Sequence, residues 1–196
     1  MKKIFTLITA VAMGVAALSS CCNKQEDSKA KYIFLFIGDG MGTSHIAVTE
    51  SYLSAKAGKL GGEQLTMTQF PIYGTSTTHC ENKTITCSAA SGTAIASGHK
   101  TYYSRLGCDK DFNPLKSMAF PLKEEGYKIG IMSSVPITHA TPAAFYASTP
   151  DRGDGYGIMM QIPDSGFDFF AGSGFEDMFG KDGQQLGADK YLEQHG

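Results

Sequence analysis

Tyr32-Ile33-Phe34-Leu35-Phe36-Ile37-Gly38-Asp39-Gly40-Met41-Gly42 reads as a strand running into a glycine-bracketed turn. Six consecutive apolar residues suit a strand covered on both faces. Thr43 or Ser44 then opens a helix that reaches about Lys56. The alternation continues downstream. Residues 73–78 and 83–86 read as short strands, and a helix runs from Ser88 to about Ser97, closed by Gly98. Residues 115–125 suit a helix interrupted by Pro121, and residues 127–133 form a second apolar strand. Thr141-Pro142 opens a short helix, with proline in its first turn. Residues 167–171 are a third apolar strand, followed by Gly172-Ser173-Gly174. Strands alternating with helices predict an α/β fold with a mainly parallel sheet. Ligands of such sheets gather at the carboxyl ends of the strands, where Asp39, Ser88, His139 and Thr141 all fall.

The chain has 196 residues, 42% hydrophobic and 18% charged, which is enough for one domain with its own core. A net charge of −2 gives no electrostatic reason to expect nucleic-acid binding. Met1-Lys2-Lys3 followed by the apolar run 4–18 reads as a signal peptide, too short to span a membrane comfortably. Leu18-Ser19-Ser20-Cys21 resembles a bacterial lipobox, with Cys21 as the lipidated residue, although ordinary signal cleavage nearby is the alternative. Residues 1–20 are therefore expected to be a lipoprotein-type leader, 21–30 a tether and 31–196 the folded region. The expected location is outside the cytoplasm, anchored by lipid to the bacterial outer membrane or free in the periplasm. Of the remaining cysteines, Cys80 and Cys87 either pair across a turn or stay as buried thiols.

Chemistry centres on Thr86-Cys87-Ser88-Ala89-Ala90-Ser91-Gly92-Thr93-Ala94. A serine at a helix N-terminus meets unpaired backbone N–H groups and the positive end of the helix dipole, a setting that favours anions. Ser88 is thus a nucleophile or simply a helix cap. Asp39 does not fit a dinucleotide loop: the glycine spacing is wrong, and its carboxylate would repel a pyrophosphate while attracting a divalent cation. The other reading of Asp39 is a turn residue capping the next helix. His139 and Thr141 are potential ligands beside a helix start, or ordinary loop residues. Arg152, in Thr149-Pro150-Asp151-Arg152, has a planar fork suited to phosphate, or is a solvated surface side chain. A nucleophilic serine with a strand-end aspartate suggests metal-assisted phosphoryl transfer.

Four pieces in order resemble the alkaline phosphatase family: Ile37-Gly38-Asp39-Gly40-Met41-Gly42, residues 86–94 as quoted, His139-Ala140-Thr141-Pro142-Ala143-Ala144, and Arg152. The resemblance runs from about Lys31 to at least Gly174. It implies a three-layer α/β sandwich around a mainly parallel sheet, here incomplete. The implied activity is hydrolysis of small phosphate monoesters through a phosphoserine at Ser88. The implied cofactors are two Zn2+ and one Mg2+. Asp39, Ser88, His139 and Thr141 are the metal ligands expected in this chain, with Arg152 clamping the phosphate. A homodimer is implied for a full-length member.

Two departures stand out. The family often has Asp before the nucleophile, where it orients the arginine; here the residue is Cys87, so a more mobile Arg152 is expected. The family's remaining zinc ligands lie in later Asp-x-x-x-His, Asp-His and His segments, and this sequence reaches Gly196 without them. The chain is therefore expected to be an N-terminal part with little activity alone. The competing readings are a non-catalytic lipoprotein that binds phosphate or a partner, and a sulfatase. The latter is disfavoured because Cys87-Ser88-Ala89-Ala90-Ser91 lacks the required Pro and Arg.

Overall fold

A helix of small residues sets the geometry of the fold. In the computed structural model, which describes residues 29–195, the chain separates into Met1–Ile37 and Gly38–Gly196. The leader, Cys21 and most of the tether lie outside the described residues. In the first unit the apolar run 32–37 forms no strand, and its aromatic side chains are exposed, Phe36 at 89%. A strand exists only as one member of a hydrogen-bonded pair, and no ladder partner for this run occurs among the described residues.

The second unit begins with helix α1, Thr43–Lys56. Gly42 takes the capping position, and its N–H donates to His45 Nδ1 at 3.1 Å. Glu50 on α1 accepts hydrogen bonds from Leu65 N at 3.0 Å and Thr68 Oγ1 at 2.6 Å, which hold the 3₁₀ turn Thr66–Gln69. The strands expected at 73–78 and 83–86 are absent. The first of these segments carries Gly, Ser and Thr in place of an apolar face. The second closes on itself through Cys80 N–H to Ile85 O at 3.2 Å.

Helix α2, Ser88–Ser97, ends at Gly98, whose φ of 76° is the left-handed conformation glycine adopts without penalty. Helix α3 is Ala119–Glu124, shorter than the sequence implies. Pro121 falls in its first turn, the only turn whose N–H groups need no intrahelical partner. Strand β1, Gly130–Met132, is followed by helices α4 (Ala140–Ala143), α5 (Gly155–Met159) and α6 (Ile162–Ser165), strand β2 (Phe169–Ala171) and helix α7 (Ala188–His195). β1 and β2 pair in parallel with Ile131 opposite Phe170, as the α/β reading requires. Ala89, Ala96, Leu106, Ile137, Ala140, Ala143, Tyr146, Ile158 and Met159 share one core, onto which Ile131 and Phe170 pack. Cys80, Cys87 and Cys108 are free thiols.

Asp168 pins the start of the strand pair. Its carboxylate accepts from Lys123 Nζ at 2.6 Å, Ile129 N at 2.9 Å and Lys128 Nζ at 2.9 Å. The Lys123 ammonium foremost, then the Ile129 N–H and Lys128, hold this carboxyl well below the usual carboxylate range. A depressed value in the folded state contributes stability above the unfolded carboxylate pKa of about 3.9, and that stability is lost as pH falls further. Asp168→Asn is therefore expected to flatten the acid limb of a stability-versus-pH curve below about pH 4. Urea unfolding at a series of pH values checks this, and an unchanged acid limb would refute it.

Candidate functional site

Gly92 helps the site to assemble. A Cβ at this position would lie 3.1 Å from Ala144 Cβ and 3.6 Å from Thr141 Cα, so the absence of a side chain at residue 92 eases the close approach of α2 and the α4 segment by a few tenths of an ångström. This contact brings the start of α2, at Ser88, beside Thr141. The turn at Gly38-Asp39-Gly40 is closed by Met41 N–H to Gly38 O at 3.1 Å, with Gly40 at φ 68°. Asp39 lies where both hydroxyls reach it. Ser88 Oγ donates to Asp39 Oδ2 at 2.9 Å, and Thr141 Oγ1 donates to the same oxygen at 2.8 Å. The Asp39 carboxyl is held below its ordinary value, foremost by the Thr141 hydroxyl. Partial burial opposes this, and the Ser88 hydroxyl, His139 and Arg152 reinforce it in that order.

His139 caps α4 with extended backbone and faces Arg152, with Nη2 and His139 Nε2 3.2 Å apart. An arginine has only donors, so Nε2 accepts and a neutral ring carries its proton on Nδ1. That Nδ1 is buried and has no hydrogen-bond partner. The expected residues thus fall into two joined groups, Asp39–Ser88–Thr141 and His139–Arg152, linked through the backbone of residues 139–141. Cys87 makes no bond to Arg152. Its Sγ accepts the Ser104 N–H at 3.2 Å.

One carboxylate and two hydroxyls form an oxygen-rich donor set that suits a hard cation such as Mg2+, with His139 adjoining it. Among the described residues no group of three or more His, Cys, Asp or Glu gathers as a zinc centre would need.

The sequence reading missed the segment 104–108, which ties the two groups together. Gly107 N donates to Thr93 Oγ1 on α2 at 2.8 Å. Leu106 exchanges two backbone hydrogen bonds with Thr149, at 3.1 and 2.8 Å, just before the loop that carries Arg152. The available signal was Gly107, set between apolar Leu106 and Cys108.

A family model described as alkaline phosphatase matches residues 30–173. Alkaline phosphatase 4 of Bacillus subtilis is 36% identical over 133 residues, covering 66% of this chain and 28% of the relative. Alkaline phosphatase 4 of Drosophila melanogaster is 38% identical over 140 residues, covering 65% and 24%. The solved alkaline phosphatase of the Antarctic bacterium TAB5 superposes with a TM-score of 0.68 at 32% identity, over 80% of this chain and 43% of that one. A variant of that enzyme holds Mg in a site termed M3, and it superposes with a TM-score of 0.67 at 29% identity. The chain spans about a quarter of the length of these two curated relatives.

Gly107 sits at φ +58°, and a Cβ there would be 2.0 Å from the Ala147 carbonyl oxygen. Gly107→Ala is expected to destabilise the protein by more than about 2 kcal/mol, from left-handed strain plus the backbone clash. Urea denaturation measures it; a loss within about 0.5 kcal/mol would show the segment is freer than this packing implies.

Proposed function

We propose that this chain, which belongs to the alkaline phosphatase family, carries the nucleophile and the phosphate clamp of a phosphomonoesterase. The observation that supports this best is the shared Asp39 carboxylate, which receives the hydroxyls of Ser88 and Thr141 at 2.9 and 2.8 Å. In this reading Ser88 Oγ attacks the phosphorus of a small phosphate monoester. The Ser88 Oγ–P bond forms as the ester P–O bond breaks, and the serine proton leaves to solvent. The departing alkoxide takes up a proton from water. Water then cleaves the phosphoserine, releasing inorganic phosphate and restoring Ser88.

Asp39 orients the Ser88 hydroxyl, and its depressed pKa makes it a weak proton acceptor. The start of α2 offers unpaired N–H groups to phosphate oxygens. Arg152 binds two of those oxygens bidentately once His139 has set the direction of its side chain. Asp39 and Thr141, with His139 beside them, would hold Mg2+. A bound divalent cation supplies positive charge that lowers the pKa of nearby hydroxyls and offsets charge on the phosphoryl group. Zinc is proposed on family grounds alone. Asp39 and Ser88 fall short of the three or four protein ligands a zinc site takes, so no step here is routed through it. Export, lipid attachment at Cys21 and dimerisation belong to the same proposal on sequence grounds.

In the native gene product carrying this sequence, Ser88→Ala is expected to lower kcat for an aryl phosphate by at least about 10³-fold with folding retained. Steady-state kinetics and circular dichroism check it together. Turnover unaffected by the substitution would refute Ser88 as nucleophile, whereas a folded parent without turnover would favour a phosphate- or partner-binding protein.

A further inference from the structure

We propose that Arg105 is a positioning residue for Arg152, holding the base of the loop from which Arg152 reaches the phosphate. The inference rests on the reading of Arg152 given above. Arg105 is half-buried and makes two directed contacts. Its guanidinium lies over the Phe112 ring, 3.9 Å from the centroid, and its Nη1 donates to the Pro150 carbonyl at 3.0 Å. The guanidinium is thus held against the ring by a cation–π contact while one N–H grips the residue two positions before Arg152.

The surroundings make this grip consequential. Leu106 and Thr149 exchange both backbone bonds beside it. Beyond Pro150 the loop is held by its own short bonds, Asp151 N to Thr149 Oγ1 at 3.2 Å and Gly153 N to Asp151 Oδ1 at 2.9 Å. Phe112 has φ 69°, a conformation a bulky residue keeps only where its neighbours enforce it. Asp109 does so by accepting the N–H groups of Asp111 and Asn113 at 2.8 and 2.9 Å. The backbone beneath the ring is therefore held, although the ring itself is half exposed.

Arg152 needs such support because the residue before the nucleophile is a thiol. Cys87 forms no ion pair with the guanidinium and instead accepts the N–H of Ser104, the residue next to Arg105. His139 meets Arg152 at its tip. Arg105 fixes the backbone at the base of its loop, so less loop freedom is lost when phosphate binds.

The test compares Arg105→Ala, Arg105→Lys, Arg152→Ala and the Arg105→Ala/Arg152→Ala double variant in the native gene product. Each is assayed for aryl-phosphate kinetics and for inhibition by inorganic phosphate. Arg105→Ala is expected to raise KM and the phosphate inhibition constant about 3- to 10-fold while kcat changes less, with partial recovery in Arg105→Lys. In the Arg152→Ala background the Arg105 substitution should add less than about 2-fold, because the two act as a unit. An Arg105→Ala inhibition constant within about 2-fold of the parent, with Arg152→Ala impaired, overturns the inference alone. So does an undiminished Arg105 effect in the double variant. An unchanged constant in Arg152→Ala overturns the reading of Arg152 and this inference with it. If Arg105→Ala does not accumulate as folded protein, Phe112→Ala removes the platform from an exposed position. A smaller rise in the same constants then supports the inference, and no rise overturns it.

Discussion

The close approach of α2 to the segment around α4 is the constraint on which the site depends. Ser88 opens one helix and Thr141 lies in the other, so their hydroxyls converge on Asp39 only if the two backbones nearly touch. Gly92, Ala140, Ala143 and Ala144 meet that requirement by being small and apolar. Such a contact gains its stability from dense packing, since each alanine buries little area. The polar groups then sit at the rim of a tightly packed pair, where they keep access to solvent.

The charges follow from this placement. Asp39 is exposed enough to ionise readily, yet surrounded by donors that favour its charged form. A carboxylate in that state orients hydroxyls and attracts cations. His139 meets the Arg152 guanidinium with its ring Nε2, 3.2 Å from Nη2, so the second group is held by a ring nitrogen and not by a carboxylate.

The helices were more legible in the sequence than the strands. Residues 88–97 show their helix through a run of small residues and a terminal glycine, both local signals, although Cys87 and not Ser88 takes the capping position. The run 32–37 is as apolar as any strand, but pairing is a property of two segments and periodicity reports only one. Residues 83–86 have strand-like composition, yet the nearer partner for Cys80 N–H is Ile85 O, and a turn results. Asp39, Ser88, Thr141, His139 and Arg152 were found as separate short motifs, because each carries chemistry in its own neighbourhood. Arg105 carries none until folding sets Pro150 and Phe112 on either side of it, so no window of sequence points to it.

The Asp39–Thr141 bond closes a loop of 102 residues. Contacts between such distant residues form late, because the chain must give up the entropy of that loop before the bond contributes anything. During synthesis at about 5–20 residues per second, Asp39 emerges several seconds before Thr141 exists. The helix that begins at Ser88 waits through a shorter interval, until residues 140–144 are made, without the alanines that cover it. Its small side chains expose little apolar surface in that time, and so offer chaperones and neighbouring nascent chains little to bind. The composition that lets two helices touch in the finished protein also keeps the first of them inconspicuous while it is alone.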